Sequence, residues 1–350
     1  MDSSYNISDD FSGGVCMTVR ERLEQEEYSR LSPFAQKAAE TKGRLRPGEE
    51  NEVRTCYQRD TDRILHSKSF RRLMHKTQVF LQPEGDHYRT RMTHTLEVAR
   101  IARTIARGLS LNEDLTEAAA LGHDLGHTPF GHAGEAALSE VLGYPFRHNE
   151  QSLRVVDILE QNGLGLNLTY EVRMGIVGHT GSFIPETLEG RIVRMSDRIA
   201  YINHDIDDAM RAGILTNEDI PKEISDVLGN SHSDRINTLV SNVIARSQNK
   251  PELFMDDEVQ RAMDALREFM FERVYRNPVA KGEESKAQHI IQELFLYYMK
   301  HPEKLPEDYQ PQLDFDGMPR AVCDYVAGMT DKYAIYKYSE LFIPTAWQIR

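Results

Sequence analysis

The sequence predicts an all-α fold. Segment after segment repeats apolar residues at helical spacing, Pro and Gly fall between these segments, and no run alternates apolar and polar residues long enough for a convincing strand. With 350 residues and 40% hydrophobic content, the chain can bury a sizeable core in one large or two small domains.

Taken in order, residues 1–16 carry Ser, Asp, Asn and Gly without the basic and apolar regions of a signal peptide, and are expected to be disordered. Residues 17–28 read as a short charged helix, and 31–50, with two prolines, as a loop or extended arm. In 54–82, Ile64, Leu65, Phe70, Leu73, Val79 and Phe80 keep helical patterns among Arg59, Arg63, Arg71, Arg72 and Lys76. By composition alone that is a solvated basic face.

From Thr90 to Arg107, residues His94, Val98, Ile101, Ala102 and Ile105 share one helical face, so His94 points inward. The next helix takes Asn112 as N-cap, Glu113 and Asp114 in its first turn, and Leu115, Ala118, Ala119, Gly122 and Leu125 as its apolar face. It is expected to end at Gly126, where Gly126-His-Thr-Pro-Phe-Gly131 breaks the pattern beside the doublet His123-Asp124. Residues 153–181 read as helices broken at Gly163-Leu-Gly165, with His179 a packing or capping residue. In 190–208, Ile192, Met195, Ile199, Ile202 and Ile206 form the apolar stripe, and Asp197, Tyr201 and Asp205 form a second row at i, i+4, i+8. Helical periodicity returns at 234–247, 257–275 and 287–300, and Pro319 opens a last block from Met318. The expected organisation is an N-terminal segment and arm (1–53), a core (54–211) and C-terminal helices (212–350) closing over it within the same structural domain.

The balance of 42 basic against 55 acidic residues, a net charge of −13, argues against broad electrostatic binding of nucleic acid or an anionic membrane. Cys16, Cys56 and Cys323 form no CxxC pair and no disulfide framework, which suits a reducing cytoplasm. No run approaches the roughly 18 apolar residues that span a bilayer.

His94, His123 and Asp124 suit one ion, with a fourth ligand expected from a later helix, for which the polar row of 190–208 is the best candidate. Neighbouring helical residues are turned by about 100°, so His123 and Asp124 converge only near a widened or terminating turn. Without Cys, the set favours one borderline or hard divalent ion per subunit, Mn²⁺, Fe²⁺, Co²⁺, Ni²⁺ or Mg²⁺, over a closed structural zinc site. His132 and Glu135 stand at i, i+3, where the carboxylate can accept from the imidazole and raise its basicity.

His94, His123-Asp124 and Asp197 match the H…HD…D pattern of HD-domain phosphohydrolases. The text around them, through Arg59–Val79, Arg91–Val98, His123–Glu135, His148-Asn-Glu, Asp197–Asp205 and Gly328–Ala334, resembles the dGTP triphosphohydrolase branch of that superfamily. The resemblance covers most of 54–211 plus a C-terminal block. It implies an HD-domain helical core, hydrolysis of a deoxynucleoside triphosphate to deoxynucleoside and tripolyphosphate, and a catalytic pair at His132 and Glu135. It further implies phosphate contacts at Arg91, His127 and His148, a sugar contact at Gln78, and deoxyribose recognition by Tyr201 and Asp205. Arg198 and Arg320 are further candidates for nucleotide contacts. Relatives form homo-oligomers, often hexamers, and an effector, either a nucleotide or single-stranded nucleic acid, belongs to the same expectation. The competing readings are an HD phosphohydrolase of another phosphoester, and a regulatory or single-stranded nucleic-acid-binding module without turnover.

Overall fold

The computed structural model describes residues 17–48, 50–78, 89–275 and 278–345; the expectations for 1–16, and for Val79, Phe80 and the rest of 79–82, lie outside the described residues. The principal helices are α1 (Val19–Arg30), α2 (Cys56–Leu65), α3 (Arg91–Gly108), α4 (Glu113–Gly122), α5 (His132–Leu142), α6 (His148–Arg154) and α7 (Tyr170–Gly178). They continue with α8 (Leu188–Arg211), α9 (His232–Ser247), α10 (Asp257–Met270), α11 (Pro278–Lys300), α12 (Met318–Ala327) and α13 (Asp331–Phe342). Among the described residues the extended pairings are two isolated bridges, Arg44 with Thr169 and Thr77 with Thr90, so the chain is all-α as predicted.

Local chemistry explains where the site-bearing helices start. Thr90 caps α3 through a capping box with Thr93, and Asn112 caps α4 by accepting from Leu115 N at 3.2 Å. Asn112 is itself buried, because its amide also donates to Glu27 and to the Gln36 carbonyl. α4 stops at Gly122, four residues before the predicted end at Gly126. Gly122 allows α7 close: a Cβ there would lie 2.5 Å from Ile176 Cδ1.

Two apolar clusters form. The larger joins α2, α3, α4, α7 and α8 with α9 and α10; the smaller joins α5 to α11, α12 and α13. The turn from His123 to Gly131 lies between them, giving Leu125 to the first and Phe130 to the second. Asp331, buried at the start of α13, ties this seam: one carboxylate oxygen accepts from Phe130 N at 3.0 Å, the other from Thr77 N at 2.9 Å and from the Thr77 hydroxyl. Asp331→Ala strands these amide donors and is expected to cost roughly 2–5 kcal/mol in urea denaturation. A change below about 0.5 kcal/mol, ordinary for a surface substitution, would show that the tie carries no stability.

Candidate metal centre

α3, the end of α4 and α8 bring His94, His123, Asp124 and Asp197 together. One nitrogen or oxygen from each of His94, His123 and Asp124 lies within 4.8 Å of the others, and all three are buried. Asp197 Oδ1 stands 3.1 Å from His94 Nε2 and 3.8 Å from His123 Nε2. His123 donates from Nδ1 to the Ala120 carbonyl at 2.6 Å, which leaves its buried Nε2 without a hydrogen-bond partner among the described residues.

An orphaned buried imidazole nitrogen beside two carboxylates is a place for a cation. Burial works against the charged form of Asp197, yet the His94 hydrogen bond and the nearby His123 bring its carboxyl down to about 2. Burial likewise opposes the charged Asp124, and His123, His127 and Arg91 overcome it, holding the carboxyl well below its usual range. Burial lowers and Asp197 raises His94, with a net rise. Two imidazoles and two ionised carboxylates without a thiolate fit a borderline or hard divalent ion.

A second group adjoins the first through Asp124. His127 Nε2 lies 3.1 Å from Asp124 Oδ1, and the His127 and His148 rings stack at 3.9 Å. His127 Nδ1 and Arg91 Nε are buried without partners among the described residues. Arg91 is clamped by Asp124 Oδ2 at 3.0 Å, and its guanidinium lies so close under Gly131 that a Cβ there would sit 3.0 Å from it.

The expected His132–Glu135 hydrogen bond is not the pairing that forms. Glu135 accepts instead from His148 N at 2.9 Å and stands 3.3 Å from His148 Nδ1. The reason is local: Glu135 sits in the first turn of α5 and reaches the open amide at the start of α6. His132, the first residue of α5, turns its ring edge to His127 at 6.2 Å and stays exposed. Its recess strips part of its hydration and Arg91 faces it, which together hold the imidazole below its ordinary value.

The other sequence-selected residues divide. Gln78 is half-buried, with Oε1 lacking a partner among the described residues. Tyr201 is half-buried against the larger core, and Asp205 follows one turn later, buried. Arg198 is engaged by Asp264 of α10 at 3.0 Å, and Arg320 by Asp324 one turn along its own helix at 3.2 Å and by Gln151 of α6, so both already have partners.

Four residues without a role in the sequence reading enter the network. His179 donates from Nδ1 to the Ile176 carbonyl at 2.7 Å, the capping contact expected of it, but its Nε2 also meets His148 Nε2 at 3.2 Å. Burial, with His123 and His148 close by, pushes His179 down to about 3, so it accepts as a neutral ring. His204, buried on α8, contacts Glu97 Oε2 through Nε2 at 3.1 Å and His94 Nδ1 through Nδ1 at 3.2 Å. With His204 donating to Glu97, His94 donates to His204 and turns the lone pair of Nε2 toward the cluster. The spacing held a signal: Glu97 is i+3 from His94, and His204 is i+7 from Asp197. Lys76, buried, donates to the His127 carbonyl and to the Ala327 carbonyl at 3.0 Å; burial, with Arg72 near, brings its ammonium down to about 7.

The HD domain profile matches residues 91–202, the stretch that carries all four ligand candidates, and a phosphohydrolase-associated domain profile matches 253–340. A deoxyguanosinetriphosphate triphosphohydrolase-like protein of Caldanaerobacter subterraneus subsp. tengcongensis is 56% identical over 331 residues, covering 95% of this chain and 98% of the relative. Proteins so named from Desulfatibacillum aliphaticivorans (49% identical, 94% of this chain and 99% of the relative) and Clostridium tetani (45%, 94% and 97%) are similar over the same extent. With such identity along nearly its whole length, and with its His/Asp cluster inside the HD segment, the chain belongs to the dGTP triphosphohydrolase-like family of HD-domain proteins.

Proposed function

We propose that this chain hydrolyses deoxynucleoside triphosphates, dGTP among them, to deoxynucleoside and tripolyphosphate. The observation that carries the reading is the orphaned His123 Nε2 facing two ionised carboxylates, next to a wall made by Arg91, His127 and His148. The names of the relatives support the choice of a triphosphate.

His94, His123, Asp124 and Asp197 would hold a divalent ion, which when bound would supply Lewis-acid chemistry at the phosphoryl group. Arg91, already oriented by Asp124, offers its free Nε to phosphate oxygens. His127 Nδ1 is the atom of that ring left to face a phosphate; burial, with Arg91 and His148 near, holds this imidazole well below its ordinary value, and a bound triphosphate acts in the opposite direction. His148 stands beside it, held by Glu135 and His179. Gln78 reaches the sugar, Tyr201 and Asp205 take the deoxyribose, and the Tyr201 ring fills the space of a 2′-hydroxyl. His132 gives a proton to the 5′-oxygen as the bond to the α-phosphorus breaks. Arg198 and Arg320 join only by leaving Asp264 and Asp324. The active form is a homo-oligomer in this reading.

The test is to incubate metal-loaded protein with each dNTP alone and in pairs and to identify the products. Tripolyphosphate with deoxynucleoside is expected; activity confined to nucleoside monophosphates or cyclic nucleotides, or binding without any product, would refute the proposal. Pairwise stimulation would reveal a nucleotide effector.

The Glu97–His204–His94 chain has its own consequence. A partner that orients a metal-binding imidazole is worth about 10–100-fold in metal affinity, so His204→Ala is expected to weaken Mn²⁺ binding by that factor in calorimetry. Equal affinity in variant and parent would show that His204 merely fills space.

A further inference from the structure

Behind the 123–131 turn lies a recess of about 660 Å³, its open mouth included, enclosed by Lys68–Lys76, the 155–162 segment and residues 308–328. Neither the four ligand candidates nor Arg91, His132 and Glu135 line it. We propose that this recess is a second anion site, which binds a phosphate group of a small molecule between Arg72 and Lys76.

The charge inventory points there. The carboxylates around the recess are already taken: Glu160 accepts from Ser69 N at 2.7 Å and Ser69 Oγ at 2.6 Å, and Asp308 pairs with Lys68 at 3.3 Å. Asp324 holds Arg154 at 2.7 Å, Gln151 at 2.9 Å and Arg320 at 3.2 Å. Among the described residues, no carboxylate stands within 4.0 Å of the charged ends of Arg72 or Lys76. Lys76 spends two of its three donors on the His127 and Ala327 carbonyls, and Arg72 meets the Tyr309 hydroxyl. Lys76 has no carboxylate in contact, with Asp331 and Asp124 acting on it only from farther off; a buried ammonium so placed is costly, and a phosphate supplies a charge in direct contact. The planar guanidinium fork bonds two phosphate oxygens at once.

The rim is shaped independently of these charges. Gln161 (φ 52°) and Asn162 (φ 56°) line the recess in consecutive left-handed conformations, which side chains bearing a Cβ rarely adopt. A π-turn over Val155–Leu159 precedes them. Backbone of both kinds concentrates at binding sites. Glycine at 328 leaves room for the Tyr309 hydroxyl that meets Arg72, since a Cβ there would stand 3.1 Å from that oxygen.

The proposal does not depend on which substrate the HD centre takes. Inorganic phosphate is titrated calorimetrically into the full-length, metal-loaded chain and two variants, and crystals of the unmodified protein are soaked in tungstate. Arg72→Gln is expected to weaken one class of phosphate binding by about 10–100-fold, the value of a charge-assisted hydrogen bond, while Arg91→Gln leaves that class in place. Tungstate is expected between Arg72 and Lys76. A folded Arg72→Gln protein with unchanged phosphate binding would overturn the site. So would tungstate density confined to the Arg91 and His127 wall, whatever the fate of the variants.

Discussion

Asp124→Ala is expected to abolish both metal retention and turnover, the largest effect of any single substitution in this chain. Asp124 is the side chain that the two His/Asp groups share, and it is buried between His123, His127 and Arg91. Its removal takes away a charged ligand, and metal affinity in such sites rests on few protein groups. It also leaves the Arg91 guanidinium buried without its counter-charge, which costs about 3–5 kcal/mol. The variant should therefore lose stability even with metal absent, whereas Asp124→Asn, which keeps a hydrogen-bond acceptor for Arg91, should recover part of that stability without recovering metal. Metal analysis after desalting, together with thermal unfolding, checks both parts. Unchanged metal content and turnover would remove Asp124 from the site.

The second large effect is expected at His132. In the proposed reaction, breaking the bond between the α-phosphorus and the 5′-oxygen would create an alkoxide, a poor leaving group at neutral pH, for which a positioned proton donor is worth about 10²–10⁴-fold. His132→Ala should lower kcat by that order with metal content and folding intact. In the free chain lost hydration and the nearby Arg91 hold this imidazole down, so a triphosphate that neutralises Arg91 is expected to raise its hold on a proton. The alkaline limb of the kcat profile, which reports the bound state, should accordingly lie at higher pH than that of kcat/KM. Activity is lost in each case as pH rises through the pKa. Glu135 acts on His148, and a double-mutant cycle separates the pairs. Glu135→Ala with His148→Ala should be far less than multiplicative, while Glu135→Ala with His132→Ala should be nearly multiplicative. The reverse pattern would restore the His132–Glu135 dyad, and a normal His132→Ala enzyme would exclude the proton donor.

Much of this site was legible because helical period is a local property. The inward face of α3, with His94 in line with Val98, Ile101 and Ile105, follows from 3.6 residues per turn and needs no neighbour. Asn112 as the cap of α4 follows from the four open amides of a helix start. The apolar pattern of α4 runs past the helix itself: Leu125 continues it while the chain has already turned at His123. The pattern records which side of a residue is buried, not whether the backbone there still makes helical hydrogen bonds.

The sequence alone specifies an all-helical chain, the candidate ligands His94, His123, Asp124 and Asp197, and the position of Arg91 one turn before His94. Tertiary structure alone decided which side chain each of these meets. Glu135 is closer in sequence to His132, yet it bonds His148 because the start of α6 presents an open amide within its reach. His179 joins His148, and His204 joins His94 to Glu97, because α7 and α8 cross the site where those rings project. Lys76 spans to Ala327 across 251 positions of chain. Periodicity says which face of a helix is buried, but a hydrogen bond within a buried face forms over about 3 Å, and only the packing of helices distant in sequence brings two polar atoms that close.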